Sequence, residues 1–255
     1  LQSNNATDVI GWGNHRGLFK NLMKPYRFRV CASASSPFSN VISLVLFSVQ
    51  TVALASLATG CQKAAHRSDA QAQYDLAKSY DEGKGASQDY SKAAELYQKS
   101  ADAGYAPAEA ALGALYAYGR GVSKDTSKAL ALFQKAADQG NARGQYDVGL
   151  CYEQGEGVVK NDGKAAEFYQ KAADKGYGPA LLSLGALYLL GDGVPENDAK
   201  AIDLFKKAAA QGEPGALTNL GDCYRQGKGV TQSAPKAVEF YQKAADQRDP
   251  LAQER

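Results

Sequence analysis

Histidine is almost missing from this chain: among 255 residues there are only His15 and His66, and neither lies between residues 70 and 249. A segment without imidazole cannot assemble a Ser/His/Asp or Cys/His nucleophile couple. The four cysteines, Cys31, Cys61, Cys151 and Cys223, show no metal-ligand spacing with histidine or with one another. Charge of one sign is scarce too. The net charge is +2, with five Lys/Arg against one Asp/Glu over residues 1–61 and 24 against 26 over residues 62–255. No basic stripe of the kind nucleic acid requires is present, so no nucleic-acid partner is expected. Neighbouring carboxylates such as Asp81 and Glu82 are expected to be solvated and not to form an acid/base couple. No catalytic residue, metal or cofactor is expected.

What the chain has instead is a period. Tyr80, Tyr116, Tyr152, Tyr188 and Tyr224 recur every 36 residues, and so do Gly83, Gly119, Gly155, Gly191 and Gly227. Lys92-Ala93, Lys128-Ala129, Lys164-Ala165, Lys200-Ala201 and Lys236-Ala237 keep the same step. A supersecondary unit copied at fixed length is the mark of a solenoid. The first copy predicts a helix A from about Ala70 to Glu82, with Ala72, Leu76, Ser79 and Tyr80 on one stripe at helical spacing. Gly83 ends it, because glycine reaches the left-handed conformation of a C-cap at little cost. Helix B follows an N-cap position held by Asp89, Asp125, Asn161, Asn197 and Ser233, all side chains that accept from orphan backbone N–H groups. Ala93, Leu96, Tyr97, Ser100 and Ala101 form its expected inner face, and Gly104, Gly140, Gly176 and Gly212 mark its end. Gly113, Gly149, Gly185 and Gly221 sit in mid-helix, where glycine costs about 1 kcal/mol against alanine. Retaining that cost in four copies implies a helix contact that a side chain would block.

The third copy carries Val148-Gly149, Tyr152, Gly155-Glu156-Gly157-Val158, Lys164-Ala165, Phe168-Tyr169 and Lys171-Ala172-Ala173. This pattern resembles the Sel1-like repeat, a relative of the tetratricopeptide repeat, over five units: 70–105, 106–141, 142–177, 178–213 and 214–249. Departures are small, such as Ala77 for the glycine and Ala86 for the valine. The resemblance implies an all-α fold, a right-handed αα-superhelix of five helix pairs that assembles protein complexes. It also carries an alternative, the weak penicillin- or lactam-binding or hydrolysing activity claimed for cysteine-rich relatives. The chain has none of their paired cysteines and no nucleophile–base couple, which ranks that alternative second. An inert spacer is a third reading.

Cys151 and Cys223 occupy one repeat position two units apart, well beyond the Cα separation of about 7 Å that a disulfide tolerates. Buried free thiols are expected there.

Helix A of such repeats usually lines the concave wall, so a partner stripe is expected beside its buried face. The stripe reads Asp75, Lys78, Glu82, then Ala111, Ala114, Tyr118, then Asp147, Leu150, Gln154. It continues with Ser183, Ala186, Leu190 and with Asn219, Asp222, Gln226. Tyr118, Leu150 and Leu190 form an apolar centre with polar ends, which suits a protein or peptide partner. The alternative is that these residues pack against the adjacent helix A.

The front of the chain has another character. Lys24, Arg27 and Arg29 precede an apolar run from Val41 to Ala58, and Leu57-Ala58-Thr59-Gly60-Cys61 closes it. This is the pattern of a secretory leader, and its end resembles a bacterial lipobox with Cys61 as the lipid-bearing residue. Met23 is the only methionine, so residues 1–22 are expected to be a non-native extension, 23–60 the signal peptide and 61–69 the lipidated cysteine and its tether. The resemblance implies export and an outer-membrane anchor facing the periplasm, the alternative being an uncleaved inner-membrane signal anchor. Pro250-Leu251-Ala252 aligns with the start of a sixth helix A, so residues 250–255 are expected to begin a truncated repeat. An uncapped final unit would allow end-to-end self-association.

Overall fold

The computed structural model describes residues 67–247. The expected leader, Cys61, both histidines and the start of a sixth repeat lie outside the described residues. Ten helices and no strand occur among them. Among the described residues helix α1 occupies 67–82, so it includes the span from Ala70 to Glu82 that its sequence pattern suggests. It is followed by α2 (Tyr90–Asp102), α3 (Ala106–Tyr118), α4 (Thr126–Asp138), α5 (Ala142–Gln154) and α6 (Asp162–Ala173). The remaining helices are α7 (Gly178–Leu190), α8 (Asp198–Ala210), α9 (Pro214–Gln226) and α10 (Ala234–Asp246). Odd-numbered helices are the A helices and even-numbered ones the B helices. Each helix packs on the one before and the one after it, and α3 also meets α5. The result is an αα-solenoid.

Local chemistry sets the helix ends. Asp89, Asp125, Asn161, Asn197 and Ser233 each accept the backbone N–H three residues on, at 2.9–3.4 Å. Every A helix from α3 onward ends on a glycine in the left-handed region. At Gly121 the requirement is double: φ is +68°, and a Cβ there would fall 2.3 Å from the Tyr90 carbonyl carbon of the preceding repeat. No other residue lets that turn seat on its neighbour.

Packing follows from the mid-helix glycines. A Cβ on Gly113, Gly149, Gly185 or Gly221 would lie 2.5–2.6 Å from the ring of Phe133, Tyr169, Phe205 or Tyr241. Each glycine is thus the hollow that receives the B-helix aromatic of its own repeat. Lysines at the third B-helix position add a clasp across the pair. Lys128 Nζ lies 4.0 Å from the Tyr116 ring centroid and Lys200 Nζ 4.1 Å from that of Tyr188, a cation–π contact that also covers apolar surface.

The first repeat departs from its expected burial. Ala72 is exposed and Leu76 is 48% exposed, whereas their counterparts Ala108 and Leu112 are buried. Ala108 and Leu112 share a cluster with Ala93, Ala94 and Tyr97 of the repeat before them; among the described residues α1 has no helix before it.

Candidate functional surface

The A-helix stripe is not uniform. Tyr118 and Leu190 stand 69% and 63% exposed at the last position of α3 and α7. Gln154, Gln226, Glu82, Asp75 and Lys78 are exposed as well. Ala114, Ser183, Ala186 and Asn219 are half-buried. Two expectations need correction. Ala111 is 4% exposed and belongs to the core shared with α2. Leu150, expected to be exposed, is half-buried and packs on the cluster around Leu184 and Leu187. At these two positions an A helix turns toward its neighbour and not toward solvent, as the packing alternative required.

Beneath the stripe, repeats one, three and five differ from two and four. In the odd repeats the B-helix aromatic is a tyrosine whose hydroxyl reaches an A-helix polar group. Tyr97 Oη lies 3.3 Å from Asp81 Oδ2, and Tyr169 donates to Glu153 Oε2 at 2.6 Å. Tyr241 donates to Asp222 at 2.7 Å and accepts from Arg225 Nε at 3.2 Å. In the even repeats the aromatic is Phe133 or Phe205, and the places of Asp81 and Glu153 are taken by Ala117 and Leu189. Burial raises the hydroxyl pKa values of Tyr97 and Tyr169, and the nearby carboxylates raise them further. These phenols therefore stay protonated and act as donors.

Two odd repeats also build tyrosine clusters. Tyr74 lies 5.5 and 5.4 Å from the ring centroids of Tyr97 and Tyr105; Tyr146 lies 5.4 Å from both Tyr169 and Tyr177. Such spacings are those of favourable aromatic pairs. The corresponding residues in the fourth repeat are Leu182, Phe205 and Glu213. This alternation was missed in the sequence, although a 72-residue period in these columns carries it.

Asp147 sits beside the central cluster with its side chain 14% exposed and Arg143 Nε at 3.6 Å from Oδ2. That contact is an ion pair too long for a hydrogen bond, and Oδ2 has no hydrogen-bond partner. Burial raises its carboxyl to about 7 against the lowering pull of Arg143. Cys151 and Cys223 are buried free thiols. Burial is the main cause that pushes Cys151 up to about 12, far from a reactive thiolate. Among the described residues no group of three or more His, Cys, Asp or Glu could hold a metal ion, and no helix is long and apolar enough to cross a membrane.

Known proteins share this architecture. The Sel1 repeat model matches residues 70–105, 106–141, 142–177, 178–213 and 214–249. A Sel1 repeat protein from Oxalobacter formigenes is 30% identical with a TM-score of 0.67, covering 73% of this chain and 74% of its own. A protective antigen present in uropathogenic Escherichia coli, described as displaying an SLR fold, is 35% identical with a TM-score of 0.64. That match covers 72% of this chain but only 39% of the antigen. An immunity protein from Pseudomonas aeruginosa is 32% identical with a TM-score of 0.53, covering 72% of this chain and 67% of its own. No curated protein matched in sequence. Sel1-repeat proteins are in general scaffolds for protein–protein contacts, and by five consecutive matched units and the αα-solenoid they build, this chain belongs to the Sel1 repeat family.

Proposed function

We propose that the chain is a non-enzymatic scaffold of the bacterial cell envelope that captures a protein or peptide partner on the exposed face of its A helices. The observation that carries this reading is the pair Tyr118 and Leu190. Two large apolar side chains stand in solvent at the same register of α3 and α7, while the equivalent positions of the other repeats are polar. Exposed apolar anchors rimmed by polar groups are what a protein interface uses. Residues 23–61 fit this role as a lipoprotein-type leader that would tether the repeats through Cys61 at the outer membrane.

Crosslinking in intact cells, followed by mass spectrometry of what the chain captures, tests the surface. The double variant Tyr118→Lys/Leu190→Lys should lose the captured partner while keeping its helical circular dichroism. Unchanged capture by a folded double variant would reject this face. For the tether, radioactive palmitate should label the wild type and not Cys61→Ala; equal labelling of both would remove the lipid anchor from the proposal.

A further inference from the structure

The first and last helices of the described array carry the two halves of one contact. Inside the array each B helix meets the A helix of the following repeat: α2 meets α3, α4 meets α5, α6 meets α7 and α8 meets α9. The A-helix half is a small residue with an aliphatic one four positions on. These pairs are Ala108 and Leu112, Gly144 and Val148, Ala180 and Leu184, and Ala216 and Leu220, all buried. The B-helix half includes Ala94, Ala166 and Ile202, which are buried in clusters with Leu112, Leu184 and Leu220. Helix α1 presents the first half as Ala72 and Leu76, and α10 presents the second as Val238. All three are exposed, Val238 to 65%.

The turns repeat this pattern. A Cβ on Gly121, Gly157, Gly193 or Gly229 would fall 2.2–2.7 Å from Tyr90, Thr126, Asp162 or Asp198, the first residue of the preceding B helix. The corresponding Gly85 of the first repeat meets no described atom within 4 Å. Ala234, the first residue of α10, is exposed where its four counterparts are half-buried. Polarity does not set α1 apart from the inner helices. Gln73-Tyr74-Asp75 matches Gln145-Tyr146-Asp147 of α5, which α4 covers, and Ser79 stands where α5 and α9 have Cys151 and Cys223. Charge permits the contact as well. Two ion pairs cross inner junctions, Lys124 with Glu156 at 3.8 Å and Lys228 with Glu196 at 3.7 Å. At the ends the same two places hold Gln232 and Lys84, so no like charges face each other there.

We infer that α10 of one copy docks on α1 of a second copy, Val238 against Ala72 and Leu76, with Gly85 seated on Ala234. The occupant is a second copy because this junction continues the one that the chain already makes four times within itself, with the same residue classes at the same register. The contact is heterologous: each joined copy still offers one unused end, so chains add in series and do not stop at a two-fold pair.

Sedimentation velocity of the purified full chain in mild detergent tests this. The weight-average mass should rise with protein concentration past that of a dimer. Leu76→Lys removes one half of the junction and Val238→Glu the other, and because both positions are exposed the helical circular dichroism should not change. Each variant alone should self-associate about tenfold more weakly or worse. An equimolar mixture of the two should form a discrete dimer and nothing larger, through the intact α10 of the first and the intact α1 of the second. Leu76→Gln and Val238→Gln run the same scheme without adding charge. A wild type that stays monomeric, because its own residues outside 67–247 or a different protein cover these faces, overturns the inference. So does a mass that levels off at the dimer, association that neither substitution weakens, or a mixture that stays monomeric.

Discussion

The third and fourth repeats share a backbone and a glycine hollow, yet they fill it differently. In the third, Tyr169 enters the hollow of Gly149 and extends a hydroxyl to Glu153; in the fourth, Phe205 enters the hollow of Gly185 and clusters with Leu189 and Leu220. The hydroxyl and its acceptor change together, as burial demands: a buried donor without a partner costs about 1–3 kcal/mol, whereas replacing both groups by apolar ones can be nearly neutral. One scaffold therefore carries two kinds of surface. Odd repeats bring carboxylates to the A face, and even repeats bring Tyr118 and Leu190.

The comparison can be broken in several ways. Removing the aromatic altogether should erase it, because the shared hydrocarbon carries most of the energy. Tyr169→Ala and Phe205→Ala should each cost about 3–5 kcal/mol in urea unfolding, with no systematic difference between the classes. A much smaller loss in one class would show that its hollow is not filled as described.

Asp147 offers the next largest effect. Burial pushes its carboxyl up to about 7 in the fold, from 3.8 for a free side chain. The folded state thus holds the extra proton between those values, so stability from this group is full below pH 4 and is lost as pH rises through 7. Asp147→Asn, which cannot ionise, should recover roughly 2–3 kcal/mol relative to wild type between pH 5 and pH 8. The groups facing it, Arg143, Tyr146, Tyr177 and Cys151, remain in both proteins, so the difference in the two pH profiles isolates the carboxyl. Parallel profiles would place Asp147 in water.

Exchanging the aromatics sharpens the contrast further. Phe205→Tyr puts a hydroxyl against Leu189 and should cost about 1–3 kcal/mol. Adding Leu189→Glu should return part of that loss, a coupling that a double-mutant cycle would measure. The reverse exchange, Tyr169→Phe, should cost only about 1 kcal/mol, because Glu153 is half-buried and water can replace the donor. Equal costs for the two exchanges would mean that the pairing of hydroxyl and carboxylate is incidental.

Much of the fold was legible because it is local. The caps at Asp89, Asp125, Asn161, Asn197 and Ser233 need only their own side chain and a backbone N–H three residues away. The mid-helix glycines were legible for a related reason: a residue type that helices disfavour, kept at one position, betrays a contact even when its partner is unknown. The surface was harder. A helical wheel puts Ala111 and Leu150 on the same stripe as Tyr118 and Leu190, but a wheel has no neighbours, and adjacent helices cover the first pair and leave the second in solvent. The coupling of Tyr169 with Glu153 crosses from one helix to another, so it shows only as two columns of sequence changing in step.

The sequence by itself determined the repeat length, the helix pairs, their caps and the family, because backbone hydrogen-bonding and glycine sterics act within a few residues. Only the tertiary structure decided which stripe residues meet solvent, which hydroxyl finds which carboxylate and how far Asp147 is desolvated. Those outcomes depend on what the next repeat covers, and burial is a property of neighbours.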